Sequence, residues 1–127
     1  MPLTRVFLLK GKPPEYRQAI LDGLYQAMRE AFDMPDGDRF MLIEEYDRSN
    51  FVYGESYLGI RRYDVLLIIQ TAVNNTRGPI KRRHFMRASR NSSQGTLASA
   101  RKTFFLMSLL EVPKENWLFG NGIAQYA

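Results

Sequence analysis

The sequence predicts an α/β chain of two βαβ units that together form a four-stranded mixed sheet with two helices on one face. Three observations predict it. An apolar stretch, amphipathic segment and second apolar stretch open the chain, the order in which a helical crossover makes two strands parallel. After a polar interval the same order recurs. Finally, 127 residues with 45% hydrophobic and 24% charged side chains suit a single folded domain over 1–127 with one core.

The first strand is Leu3-Thr4-Arg5-Val6-Phe7-Leu8-Leu9, broken by Gly11-Lys12-Pro13-Pro14, with Pro14 suited to the first turn of a helix. From Glu15 to Phe32, Ile20, Leu24, Met28 and Phe32 recur every four residues, and Leu21, Ala27 and Ala31 widen the stripe. Met34-Pro35-Asp36-Gly37-Asp38 is a turn, and Arg39 to Tyr46 reads as the second strand. Residues 47–63 are polar and irregular, anchored by Phe51, Tyr53 and Tyr57. Asp64 to Val73 is the most apolar strand and demands cover on both faces. Pro79 opens a weaker helix in which Ile80, His84 and Ala88, or Phe85 and Ala88, share a face; Arg90 to Ser99 reads as loop, and Thr103 to Val112 as the last strand. With both helices on one side, the opposite face of the sheet needs a cover that oligomerisation supplies.

Composition narrows the function. Cysteine is absent and His84 is the one histidine, which excludes disulfides, thiolate chemistry, a His-based triad and a multi-histidine metal site. No cofactor and no metal are implied. The longest apolar run, Val65 to Ile69, is far short of a membrane span, and the N-terminus lacks the layout of a signal peptide, so a soluble cytoplasmic protein is expected. The formal charge of +5 comes from one segment: Lys81, Arg82, Arg83, Arg87, Arg90, Arg101 and Lys102 lie between Gly78 and Lys102 without an acidic residue. Outside it, 11 basic residues face 13 acidic ones. Lacking aromatic interleaving beyond Phe85, the segment reads as a solvated face, and a nucleic-acid partner is not expected.

Met1-Pro2 is the candidate for chemistry, beside the plainer reading that a proline at position 2 is common. Once Met1 is removed, as is usual before a small residue, Pro2 is a secondary-amine terminus fixed to the end of a buried strand. An α-amino group titrates near ~7.7–8.0, and an apolar pocket or nearby cation disfavours its protonated form, leaving a proton acceptor at physiological pH.

The Met1-Pro2 strand, Val6 through Phe32, the turn Met34 to Phe40, the stretch Tyr57-Leu58-Gly59-Ile60 and the tail Glu115-Asn116-Trp117-Leu118-Phe119-Gly120-Asn121-Gly122-Ile123-Ala124-Gln125-Tyr126 resemble the tautomerase superfamily, in particular its malonate semialdehyde decarboxylase branch, which implies a tautomerase-like fold. The resemblance implies a homotrimer and a catalytic Pro2 acting on a small keto or enol carboxylic acid. It implies that Asp38 orients or activates water and that Arg77 holds the substrate carboxylate. Asn75 stands where the decarboxylase has a second arginine, which disfavours decarboxylation of a small acid. Trp117, Phe119 and Tyr126 would line the pocket wall. Each has a plainer reading: a turn or cap carboxylate, a loop cation, core or interface aromatics. Three functions follow: a proline-dependent tautomerase, a decarboxylase-like lyase or hydratase using Pro2 and Asp38, or a non-catalytic basic binding protein. The segment Gly78 to Lys102 departs from the family's regular amphipathic second helix. Compensating reading-frame changes in the coding DNA would account for so bounded a departure, and the absence of a family-like helix in all frames would end that idea.

Overall fold

A computed structural model describes residues 2–91 and 105–126 of the chain. The main elements are β1 (Leu3–Leu9), α1 (Pro14–Phe32), β2 (Phe40–Tyr46), β3 (Leu67–Asn74), α2 (Pro79–Asn91) and β4 (Phe105–Val112). They build a four-stranded sheet in the order β2-β1-β3-β4. β1 runs parallel to β2, β3 parallel to β4, and the two pairs meet antiparallel along β1 and β3. The sheet is therefore mixed, as the repeated strand-helix-strand order predicts.

α1 begins on Pro14, whose missing N–H costs nothing in a first turn. Its four-residue stripe is the buried one: Ile20, Leu24, Met28 and Phe32 are all at most 3% exposed. Ile20 and Leu24 pack on Val6, Leu8, Leu67 and Ile69 of the central strands. Further along, Met28 and Phe32 share a cluster with Val73, Phe85 and Ala88, which joins the two helices. Between the central strands, Thr4 and Thr71 are fully buried register partners whose hydroxyls satisfy each other at 3.1 Å.

α2 starts at Pro79 as expected and is regular through Asn91; the remainder of the expected loop, 92–99, lies outside the described residues, as do residues 103–104 of the last strand. Its buried face corrects the first of the two alternatives. Ile80 is 81% exposed and His84 is exposed, whereas Phe85, Ala88 and Ser89 turn inward. Phe85 sets the rotation: its ring lies 5.1 Å from that of Phe32, and one turn later Ser89 Oγ donates to the Phe85 carbonyl at 2.7 Å. Residues 64–66 also depart from expectation, forming a turn ahead of β3. Asp64 accepts hydrogen bonds from Arg48 Nη1 at 2.9 Å and Tyr53 Oη at 2.7 Å, which hold it out of the ladder. Leu66 is buried against Leu9 and Phe51 instead of continuing the strand.

The register places Leu42, Arg5, Gln70 and Ser108 in one row across the sheet face opposite the helices. Phe40, Leu42, Leu106 and Leu110 on this face are 43–51% exposed in the isolated chain. Among the described residues no helix is long and apolar enough to cross a membrane.

Candidate active site

Topology collects the chemistry at one end of the sheet. Leu3 pairs with Phe40 of β2 on one side and Ala72 of β3 on the other. Continuing that register sets Pro2 between Arg39 and Val73. Each is the sequence neighbour of a residue lining a cavity of ≈ 400 Å³, Asp38 before β2 and Asn74 at the end of β3. Pro2 is itself less than 2% exposed, so its ring is not in open solvent.

The cavity wall contains Asp38, Arg77, Phe119 and Tyr126, four of the residues singled out from sequence. The structure thus gathers side chains from the turn before β2, the connection after β3 and the C-terminal tail. Trp117 stands behind this wall, stacked on Phe119 with ring centroids 5.9 Å apart and planes inclined by 7°. Tyr126 meets Phe119 edge-on, also at 5.9 Å. Gln125 pins the tail, accepting from the Phe119 N–H at 3.2 Å and donating to the Gly120 carbonyl at 3.3 Å.

Arg77 is more than a loop cation. Its Nη1 donates to the Phe32 carbonyl at 2.8 Å, and its guanidinium lies 5.2 Å from the centre of the Phe32 ring. It therefore satisfies an orphan carbonyl at the C-terminus of α1, where a cation also complements the helix dipole. The fixed guanidinium retains other N–H groups for a ligand.

Asn75 lies outside the wall: it is exposed, and its backbone N–H pairs with the Val112 carbonyl at 3.1 Å. The neighbouring Asn74 lines the cavity instead, 7% exposed, its Oδ1 shielded from solvent without a hydrogen-bond partner. Sequence reading missed Asn74 because β3 alternates strictly up to Val73, and then two consecutive residues, Val73 and Asn74, are both buried. It also missed Lys114, a lining residue at the start of the 3₁₀ turn Lys114–Asn116. The one available signal was a cation placed just before the aromatic tail.

A larger cleft of ≈ 620 Å³ runs between α2 and β4, lined by Arg83, Met86 and Leu109 among others. It shares no lining residue with the cavity that holds Asp38 and Arg77, and Arg82 there is ion-paired with Glu111. Lys81 is likewise paired, with Asp33 at 3.2 Å, so part of the basic segment is engaged within the fold.

Models of the tautomerase enzyme family match residues 2–61 and 38–120. The probable tautomerase YrdN of Bacillus subtilis (strain 168) is 30% identical over 128 residues, covering 99% of this chain and 96% of the relative. The structure of FG41 malonate semialdehyde decarboxylase inhibited by 3-bromopropiolate superposes with a TM-score of 0.85 at 27% identity, covering 98% of this chain and 93% of that one. A fused 4-OT, solved as a symmetric trimer, has the same fold, with a TM-score of 0.79 at 17% identity and coverage of 98% and 97%. The fold and the extent of the match define an enzyme of the tautomerase superfamily. The chain belongs to the tautomerase family, and its structural neighbours include the malonate semialdehyde decarboxylase expected from sequence.

Proposed function

We propose that the protein is a proline-dependent tautomerase acting on a small keto or enol carboxylic acid, with Pro2 as general base. The observation that carries this reading is the convergence of the Pro2 end of β1 with a cavity walled by Asp38, Arg77, Phe119 and Tyr126. On this reading the processed Pro2 nitrogen acts as a neutral acceptor, since an apolar surrounding disfavours the charged form of an amine. In ketonisation it takes the enol hydroxyl proton while the C=O forms, and returns that proton to the neighbouring carbon as the C=C breaks. Atoms and charge balance, and the amine ends neutral. Arg77 holds the carboxylate by its planar fork, and the aromatic wall with Trp117 behind it keeps water from the carbanion-like transition state. Asp38 orients the hydroxyl or a water.

The likeness to malonate semialdehyde decarboxylase favours a second reading at the same site, a lyase or hydratase in which cationic Pro2 polarises the substrate and Asp38 activates water. Against it stands Asn75, which brings no charge and lies outside the cavity wall. Family membership displaces the third reading, the non-catalytic basic binding protein. We further propose a homotrimer, whose contacts cover the exposed Leu42 and Leu110 of the open sheet face.

Assays of phenylenolpyruvate and malonate semialdehyde with wild type and Pro2→Ala decide between the enzyme readings. Pro2→Ala is expected to lose about 10²–10⁴-fold in kcat on the true substrate while melting like wild type. Activity indifferent to that substitution, or an intact mass showing Met1 retained on the active protein, rejects both.

A further inference from the structure

We propose that Asn74 is the positioning residue of the N-terminal amine: once Met1 is removed, its Oδ1 accepts the new N–H of Pro2 and leaves the nitrogen lone pair to the cavity. The inference rests on the proline-dependent reading above and deepens it. β1 and β3 run antiparallel with Leu3 opposite Ala72, so each step toward the start of β1 is a step toward the end of β3. Continued past Leu3, the register sets Pro2 opposite Val73. Asn74, the last residue of β3, then lies one step further on, on the side where the Pro2 nitrogen is.

The Asn74 side chain is 7% exposed, and its Oδ1 is shut off from solvent with no hydrogen-bond partner. Leaving such an acceptor unpaired costs about 1–3 kcal/mol. Asn74 borders the cavity, yet Oδ1 itself has no solvent contact, so the partner it calls for is a group of the protein. Nearby donors are committed elsewhere. Arg77 Nη1 is on the Phe32 carbonyl, and the Asn75 N–H is on the Val112 carbonyl. Arg39, the register neighbour of Pro2 ahead of β2, is drawn to Asp22 at 2.5 Å and to the Tyr25 ring at 4.8 Å. While Met1 is attached, the Pro2 nitrogen is an amide without hydrogen; excision turns that same atom into a donor. The titratable side chains of the cavity wall are Asp38, Arg77, Lys114 and Tyr126, and α1 and α2 add none to it. A neutral secondary amine has one N–H and one lone pair, so committing the N–H to Asn74 aims the lone pair. In the protonated amine the same contact stabilises the charge, which opposes burial and holds the midpoint up.

The test titrates the Pro2 nitrogen by NMR of nitrogen-labelled, processed protein. Asn74→Leu is expected to lower its midpoint by about one pH unit and kcat by about tenfold, with KM unchanged because Arg77 still grips the carboxylate. Asn74→Asp, which keeps an acceptor and adds a charge, moves the midpoint above that of wild type. A measurement that needs neither variant to fold follows the wild-type Asn74 carboxamide, whose resonances titrate together with the Pro2 nitrogen. They do not in a chain extended ahead of Met1, where Pro2 has no N–H. A midpoint that Asn74→Leu leaves in place, or an Asn74 carboxamide silent through it, overturns the proposal, while Pro2→Ala still reports separately on the tautomerase reading. Coupled titration in a protein that turns over neither phenylenolpyruvate nor malonate semialdehyde upholds the contact and sinks the catalytic reading.

Discussion

Arg77 serves two ends at once, which decides how its replacement will read. Removing the guanidinium takes a donor from the Phe32 carbonyl and a cation from the cavity. Arg77→Ala is expected to lower stability by about 1 kcal/mol in urea titrations and to raise KM by about tenfold or more. Arg77→Lys recovers part of the stability but not the bidentate grip, so KM stays high. A variant that loses stability with KM unchanged would make Arg77 a cap alone. A second residue, Asp64, offers a pH signature away from the cavity. Hydrogen bonds from Arg48 and then Tyr53 hold its carboxyl down to about 2. Because the folded value lies below the unfolded one, these contacts are intact above pH ~4 and are lost as pH falls through about 2. The Asp64 carboxyl resonance should titrate there, and Tyr53→Phe should move its midpoint upward. A wild-type midpoint near the ordinary aspartate value would refute the assignment. The pair is exposed, so the associated change in stability is small.

The elements differ in how openly the sequence declares them. α1 was legible because Ile20, Leu24, Met28 and Phe32 repeat with the helix and face one apolar wall. α2 was half legible: Pro79 marks its start, yet Ile80 and Phe85 compete for the inward side, and periodicity cannot choose between them. Contact with Phe32 chooses, which is tertiary information. Phe85→Ala is therefore expected to cost about 3–5 kcal/mol by denaturant melts, and Ile80→Ala, at 81% exposure, to fall within about 0.5 kcal/mol. Comparable losses would mean the helix is rotated. The start of β3 was misjudged for a similar reason, since an apolar run does not reveal that Arg48 and Tyr53 draw Asp64 aside. In the cavity, the resemblance to the family pointed to Asp38, Arg77 and the aromatic tail, whereas Asn74 and Lys114 became visible only once three separate stretches met.

For the molecule as a whole, the helices shield one side of the sheet and leave the other apolar and open in a lone chain. Leu42 and Leu110 lie on that side at 51% and 49% exposure. Light scattering after gel filtration is expected to give the mass of three chains, and Leu42→Glu or Leu110→Glu to shift it toward one, with loss of thermal stability. A wild-type mass of one chain would remove the trimer.

The antiparallel meeting of β1 and β3 turns the two strand-helix-strand halves head to tail. The leading end of the second half thus points away from the cavity, and it enters mid-chain, where every nitrogen is a peptide and none an amine. On the proposed reading, with Met1 removed and Pro2 the reactive amine, each subunit carries one such group however alike its halves. An electrophile that captures it will saturate at one adduct per chain.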